Sequence, residues 1–427
     1  MDNLPDELIC AVFHETVTLP RAVLNHDRVY SLEANEALAA QPYSLAAVSH
    51  RWREISLATA ELWTYIPFHW RIYRLPLAFI KQNLARSRNQ PLVIVLMESN
   101  TYDPLFTSAL QLVVEHARRW LRVYIKLDKR TPLGDRVQFM EACESCAMPM
   151  LEELIIEHEG SNHHLSVYEV TQLLDCPRLI RLVNHVGILV PITTLGALKY
   201  LSLSIRYMNE APLWAALSMA PVLQHLDIYF WEDVYEEQVS LIPEHDIHLP
   251  LLTSFAVIGN PRTGTPWAEL HIPNLKMLTL SIESCRRLGT LYQTLRYPNL
   301  HLILVPMKSD SSGTLVTADV EELRSLRGVS TLEIFGFTGT LSDDGFFETL
   351  EVDAQKNVSC WAARFTQLVL RDCVFDTDAI REVARFMRMR ASTAAAVNDA
   401  PRLDVQWITC SHEEDEVEPD WLSDQWD

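Results

Sequence analysis

From residue 117 onward one arrangement of apolar positions keeps returning along the chain: Pro-x-Leu-x-x-Leu-x-Leu, often with one position substituted. It stands as Pro149-Met-Leu151-Glu-Glu-Leu154-Ile-Ile156, Pro177-Arg-Leu179-Ile-Arg-Leu182 and Leu198-Lys-Tyr-Leu201-Ser-Leu203. It returns as Pro221-Val-Leu223-Gln-His-Leu226-Asp-Ile228, Pro250-Leu-Leu252-Thr-Ser-Phe255-Ala-Val257, Pro273-Asn-Leu275-Lys-Met-Leu278-Thr-Leu280 and Pro298-Asn-Leu300-His-Leu-Ile303-Leu-Val305. Weaker copies begin at Trp120, Val329 and Phe365. Leu-x-Leu has the period of a strand with one buried face. The leucine three positions earlier packs into the same layer, and the proline marks the loop before the strand. Segments between the phrases, such as Val167–Leu174 and Ala211–Ala220, suit short helices. A strand with one return segment cannot bury its core alone, so neighbouring units must stack.

The first anchors are spaced 19 to 36 residues apart, mostly in or near the span of leucine-rich repeats. The stretch of about 90–410 resembles a degenerate leucine-rich-repeat solenoid. The asparagine of the strict motif is mostly missing. The fold expected is α/β, a horseshoe with a parallel sheet on its concave side. The other reading is a non-repeating α/β domain with leucine-rich parallel strands. Residues between the leucines then point out of the sheet. Among them Arg122, Tyr124, Arg181, Tyr200, His225, Asp227, Tyr229, Glu333, Phe335 and Arg371 form a candidate surface for a target protein. Aromatic and arginine side chains are favoured interface anchors.

Residues 1–68 follow a different pattern. Leu4-Pro5-Asp6-Glu7-Leu8-Ile9-Cys10-Ala11-Val12-Phe13 reads as a helix start, with Pro5 at the first helical position and acids at the positive end of the dipole. Residues 18–41 read as a loop or insertion. A second helix is expected over 43–57, with Leu45, Val48, Trp52 and Ile55 on one face.

Leu-Pro-x-Glu-Leu-x-x-x-x-Phe, then Val48-Ser49-His50-Arg51-Trp52-Arg53-Glu54-Ile55, then Leu62-Trp63, resembles an F-box, in particular the fungal F-box-like type with an insertion after its first helix. Ser49 stands where the family form has cysteine. The resemblance covers about 60 residues. It implies docking on a Skp-family adaptor, and through it a cullin-RING ubiquitin ligase, by Leu4, Pro5, Leu8, Ile9, Phe13, Val48, Trp52, Leu62 and Trp63. Trp52 and Trp63 are expected as internal struts. A helical core this small gains from a partner or neighbour. The same helices would also suit the capping of a repeat array.

Composition narrows the rest. With 36 basic and 56 acidic residues the net charge is −20, which disfavours a nucleic-acid partner. The imbalance spares residues 1–90, with nine of each sign, and concentrates in 411–427, with eight acids and no base. That tail is expected to be disordered. Only 12 glycines occur among 427 residues. No apolar stretch is long enough to suggest a membrane span. MDNLPDEL has neither a basic nor an apolar signal-peptide region, so Asn357-Val358-Ser359 is expected to be an idle sequon. The eight cysteines are then expected as reduced thiols in cytoplasm or nucleus.

Chemical motifs fail on spacing. Gly259-Asn-Pro-Arg-Thr-Gly264 has Thr265 where a phosphate-binding lysine must stand. His158 and His163 are five apart, where a helical zinc pair needs four. Cys143 and Cys146 form a lone CxxC. No enzyme, cofactor or metal is therefore expected. The division expected is 1–68, 69–410 and 411–427. The leading function is the substrate receptor of a Skp–cullin–F-box ligase. The alternative is a leucine-rich-repeat scaffold without ligase association.

Overall fold

A computed structural model describes residues 4–22, 32–69, 76–97, 104–127, 147–158, 176–185, 192–205, 217–230, 246–259, 270–281, 296–305, 327–336, 338–339, 365–375, 377–396 and 403–412. The architecture is mixed α/β, in two compact units, Met1–Leu201 and Ser202–Asp427. This division falls inside the 69–410 stretch, and the reason lies in the first unit. There the N-terminal helices and the first strands share one interior.

The first unit opens with α1 (Asp6–Ala22), α2 (Leu32–Val48) and α3 (His50–Ala58). Residues 18–22 and 32–41 are thus helical, where a loop was expected. The expected helix over 43–57 is instead the end of α2 and all of α3. Ser49 divides them. Its backbone is extended and its side chain accepts from the Trp52 amide at 3.2 Å, an N-cap that starts α3 afresh. Pro5 lies one residue outside α1, its carbonyl accepting from Leu8 and Ile9.

After a short 3-10 turn at Ala60–Trp63 come β1 (Tyr65–His69), α4 (Pro76–Arg86), β2 (Leu92–Met97), α5 (Pro104–Val114), β3 (Trp120–Leu127), β4 (Glu153–His158) and β5 (Arg181–Asn184). β6 (Tyr200–Ile205) begins at the unit's end. β1 to β5 pair in sequence order, all parallel. The ladder therefore starts at Tyr65, well before the repeating phrase. Pro67 is tolerated in β1 because that strand ends the pairing order.

The second unit holds β7 (His225–Phe230), β8 (Ile247–His248), β9 (Ser254–Ile258), β10 (Leu270–His271), β11 (Met277–Ser281), β12 (Arg296–Val305), β13 (Arg327–Phe335), β14 (Thr338–Gly339), β15 (Gln367–Arg371), β16 (Val374–Phe375), α6 (Thr377–Ala396), β17 (Asp404–Ile408) and β18 (Ser411–His412). β7, β9, β11, β12, β13, β15 and β17 form a parallel ladder in that order. β8 pairs with β10, and β14, β16 and β18 form a third ladder. Ser411 and His412 are therefore strand residues opposite Val374 and Phe375. The expected tail loses those two to backbone pairing, and its remainder, 413–427, lies outside the described residues. Trp407 sits inside β17 and meets Phe375 edge-on at 5.4 Å.

The phrase works as a turn followed by a strand. Leu151, Leu179, Leu223 and Leu252 each donate their amide to the carbonyl three residues back. Pro149, Pro177, Pro221 and Pro250 stand second in these turns, where a φ fixed near −65° fits. The residue before each proline is buried too: Met148, Cys176, Ala220 and Leu249. The later apolar positions, such as Leu226 and Ile228 or Leu278 and Leu280, are fully enclosed. One phrase is out of phase. In β12 the inward residues are Leu300, Leu302 and Leu304, leaving Ile303 and Val305 half-buried on the other face. A register irregularity after Leu300 causes the shift.

Gly259 ends β9 with φ +94°, and a Cβ there would lie 1.8 Å from the Phe230 carbonyl oxygen. Its amide donates to the Ser281 hydroxyl at 2.9 Å. The glycine serves close backbone packing; residues 260–264 are outside the described set. So are Val167–Leu174, Cys143, Cys146, His163, residues 413–427 and the sequon. His158 closes a strand, so no helical His pair begins there. Among the described residues no helix is long and apolar enough to cross a membrane.

Candidate functional site

Two surfaces carry the residues singled out in the sequence. The first is built by α1 to α3. Ile9, Phe13 and Val17 lie on one face of α1 and pack with Ile55, Leu62 and Trp63. Trp52 covers Phe13, ring edge to face, at 5.0 Å. Trp63 is fully buried and donates its indole N–H to the Ser56 carbonyl at 2.8 Å. The Arg86 guanidinium lies 4.3 Å above its ring centroid, and Tyr43 abuts it edge-on. The Tyr43 hydroxyl donates to Asn83 at 2.8 Å, and burial raises its pKa against the opposing influence of Arg86.

This packing sorts the nine expected docking residues. Leu62 and Trp63 are enclosed and Trp52 is half-buried, as struts would be. Ile9 and Phe13, expected on the docking face, are 2% and 0% exposed and belong to the core. The opposite face of α1 is open. Leu8 and Val12, one turn apart, are 52% and 51% exposed; Leu4 and Val48 are exposed as well. Pro5 is exposed. Arg51 binds the Leu4 carbonyl and the Asp6 carboxylate, fastening the start of α1 beside the start of α3, two residues after Val48. Val12, expected on one apolar face with Leu8, Ile9 and Phe13, is exposed with Leu8 while Ile9 and Phe13 are buried.

The second surface is the strand face opposite the leucines. In the first unit it is largely enclosed. Val93, Val95, Met97, Tyr124, Ile155 and Val183 form one apolar cluster with Leu38 of α2 and Tyr65, and Tyr200 packs against it. Tyr124, expected outside, is 2% exposed. Its hydroxyl donates to Glu153 at 2.6 Å. Burial, then this bond, raises its pKa well above the ordinary phenol range. Arg122 lies 3.9 Å from the same carboxylate, and Arg181 stacks over Tyr200 at 4.4 Å. Arg122, Arg181 and Tyr200 thus form a half-buried rim around an apolar centre.

In the second unit His225, Asp227 and Tyr229 alternate half-buried along β7. Glu333 is buried, its two oxygens each 3.0 Å from a neighbour, His301 Nε2 on β12 and Arg371 Nε on β15. Arg371 and Glu333 form an ion pair, and neither His301 Nε2 nor Arg371 Nε has the geometry of a directed hydrogen bond. Phe335 is exposed beside Arg371, its register partner. Sequence reasoning missed His301, because the phase shift in β12 puts it on this face.

Among the described residues, Asp246, His248 and His271 form a group that could hold a metal ion. Asp-x-His in an alternating segment, followed by a second histidine at the same phase of the next repeat, was the available signal. The chain matches no known family model and no curated protein.

Proposed function

We propose that the chain is the substrate-recognition subunit of a Skp–cullin–F-box ubiquitin ligase. Its N-terminal helices would dock the Skp-family adaptor, and the strand face opposite the leucines in the second unit would receive a target protein. One observation carries the reading: Leu8 and Val12 on α1, Val48 at the end of α2 and Leu4 just before α1 stay exposed, while Phe13, Ile55 and Trp63 anchor the helical core. A cluster of large aliphatics left in water beside a packed core suits burial against another chain. Leu4-Pro5 leads into α1, Trp52-Arg53 lies in α3, and Leu62-Trp63 closes the 3-10 turn that follows it. The ligase's gain would be proximity and orientation of the target, so the reading needs no cofactor.

The scaffold reading has its own support. Leu38 and Asn35 of α2 pack against strand residues of the first unit, as a cap would. Co-expression of the full chain with a Skp-family adaptor, followed by size-exclusion chromatography, separates the two. The ligase reading expects co-elution, lost when Leu8 and Val12 are changed to Glu in a chain that stays folded. Failure of the wild-type chain to co-elute at micromolar concentration leaves the scaffold.

A further inference from the structure

We propose that Asp246, His248 and His271 bind a divalent transition-metal ion of the zinc class. The segments leading into β9 and β11 pair as the parallel β8–β10 ladder, with Ile247 opposite Leu270 and His248 opposite His271. The Leu249 amide donates to the His271 carbonyl at 3.0 Å, fixing the register. Side chains alternate along both segments. Ile247, Leu249, Leu270 and Ile272 are buried, so backbone and core hold this ladder from one side. Asp246, His248 and His271 all fall on the other side, exposed.

Convergence follows from that phase. Asp246 and His248 are two apart on one strand face, and His271 is the in-register neighbour of His248. The His271 Nε2 lies 3.2 Å from Asp246 Oδ2. The two imidazoles stack at 4.8 Å between centroids and 11° between planes. One ligand atom from each of the three residues falls within 4.8 Å of the others. Tetrahedral ligands about 2.0–2.1 Å from zinc stand roughly 3.3 Å apart. The Asp246–His271 separation is already close to that value, and the His248 ligand atom lies within 4.8 Å of both. Two imidazoles and a carboxylate form a set that zinc uses with water in the fourth place. Nitrogen-rich sets also favour zinc over magnesium or calcium. The ion would join the lead-in segments of two successive strands.

The test uses the full chain and Co²⁺ as a spectroscopic stand-in for Zn²⁺. The chain has 15 histidines and 8 cysteines, so the informative reading is the difference between variants. The wild-type protein should show the visible absorption of four-coordinate cobalt, displaced by one equivalent of Zn²⁺. His248→Ala with His271→Ala should abolish that signal. Asp246→Asn, nearly isosteric, should weaken Zn²⁺ binding at least about tenfold, since even outer partners of metal ligands contribute 10–100-fold. Far-UV circular dichroism should be unchanged, because all three side chains are exposed. An absent cobalt signal, or one equal in wild type and the folded double variant, would overturn the assignment and leave an ordinary Asp–His contact.

Discussion

Phe13 meets the ring of Trp52 edge-on at 5.0 Å, with no surface of its own left in water. Five residues earlier on the same helix, Leu8 is half exposed. Phe13→Ala should therefore lower unfolding stability by about 3–5 kcal/mol, the usual cost of deleting a buried aromatic. Leu8→Ala should change it by less than about 0.5 kcal/mol, as surface substitutions do. Chemical denaturation checks both. If adaptor binding is real, Leu8→Ala should weaken it without the stability loss.

Tyr124 should act as a structural residue. Tyr124→Phe removes its bond to Glu153 and should cost about 1 kcal/mol. Its pKa is raised in the folded chain above the ordinary value of 10.0. The stability tied to its neutral form is complete below that value and is lost as pH rises toward the folded pKa. Wild-type stability should fall above pH 10 more steeply than that of Tyr124→Phe, as thermal melts across an alkaline series would show.

Cys410 should be the more reactive of the C-terminal thiols. A hydrogen bond from Cys373 outweighs burial and lowers its pKa from 9.0 to about 7. Alkylation, followed by peptide mass spectrometry, should rise with a midpoint near pH 7 at Cys410. Cys373→Ala should move the midpoint back toward the ordinary thiol range. Because the folded pKa is depressed, the associated stability is present above pH 9.0 and declines as pH falls through about 7.

Gly259→Ala should be among the costliest small changes in the second unit. The new methyl would meet the Phe230 carbonyl at 1.8 Å with φ held at +94°. Backbone must move, because neither atom belongs to a flexible side chain. A lowered melting temperature and faster amide exchange in β7 and β9 are expected; an unchanged melt would contradict the turn geometry.

The repeating leucines were legible because burial on one strand face leaves a period of two, and a proline turn precedes it. What escaped was whatever depended on contact across the chain. Tyr124 has the same alternation whether it faces water or an apolar cluster, and its burial depends on residues far away in sequence, Leu38 and Tyr65 among them. Ile303 passed for a core residue because Leu300, Leu302 and Leu304 offer a second apolar phase one step away. Ile9 and Leu8 are adjacent apolar residues in a helix, and the docking pattern alone could not say which faced Phe13's side. The Asp246 triad was invisible to searches tuned to helical or cysteine-rich spacing, since its third member comes from the next repeat.

Trp63 lies in the helical core, and Tyr65, two residues later, lies in the apolar cluster of the strands, its hydroxyl bonded to Asn35 of α2. No slack chain separates the two. A protein held at Leu8 would thus be clamped at a constant angle to β1–β5, with torque passing through packed rings. Cutting the chain at residue 68 would part Leu38 and Tyr65 from the strand residues they pack with, so a fragment for adaptor studies should carry the first strands as well.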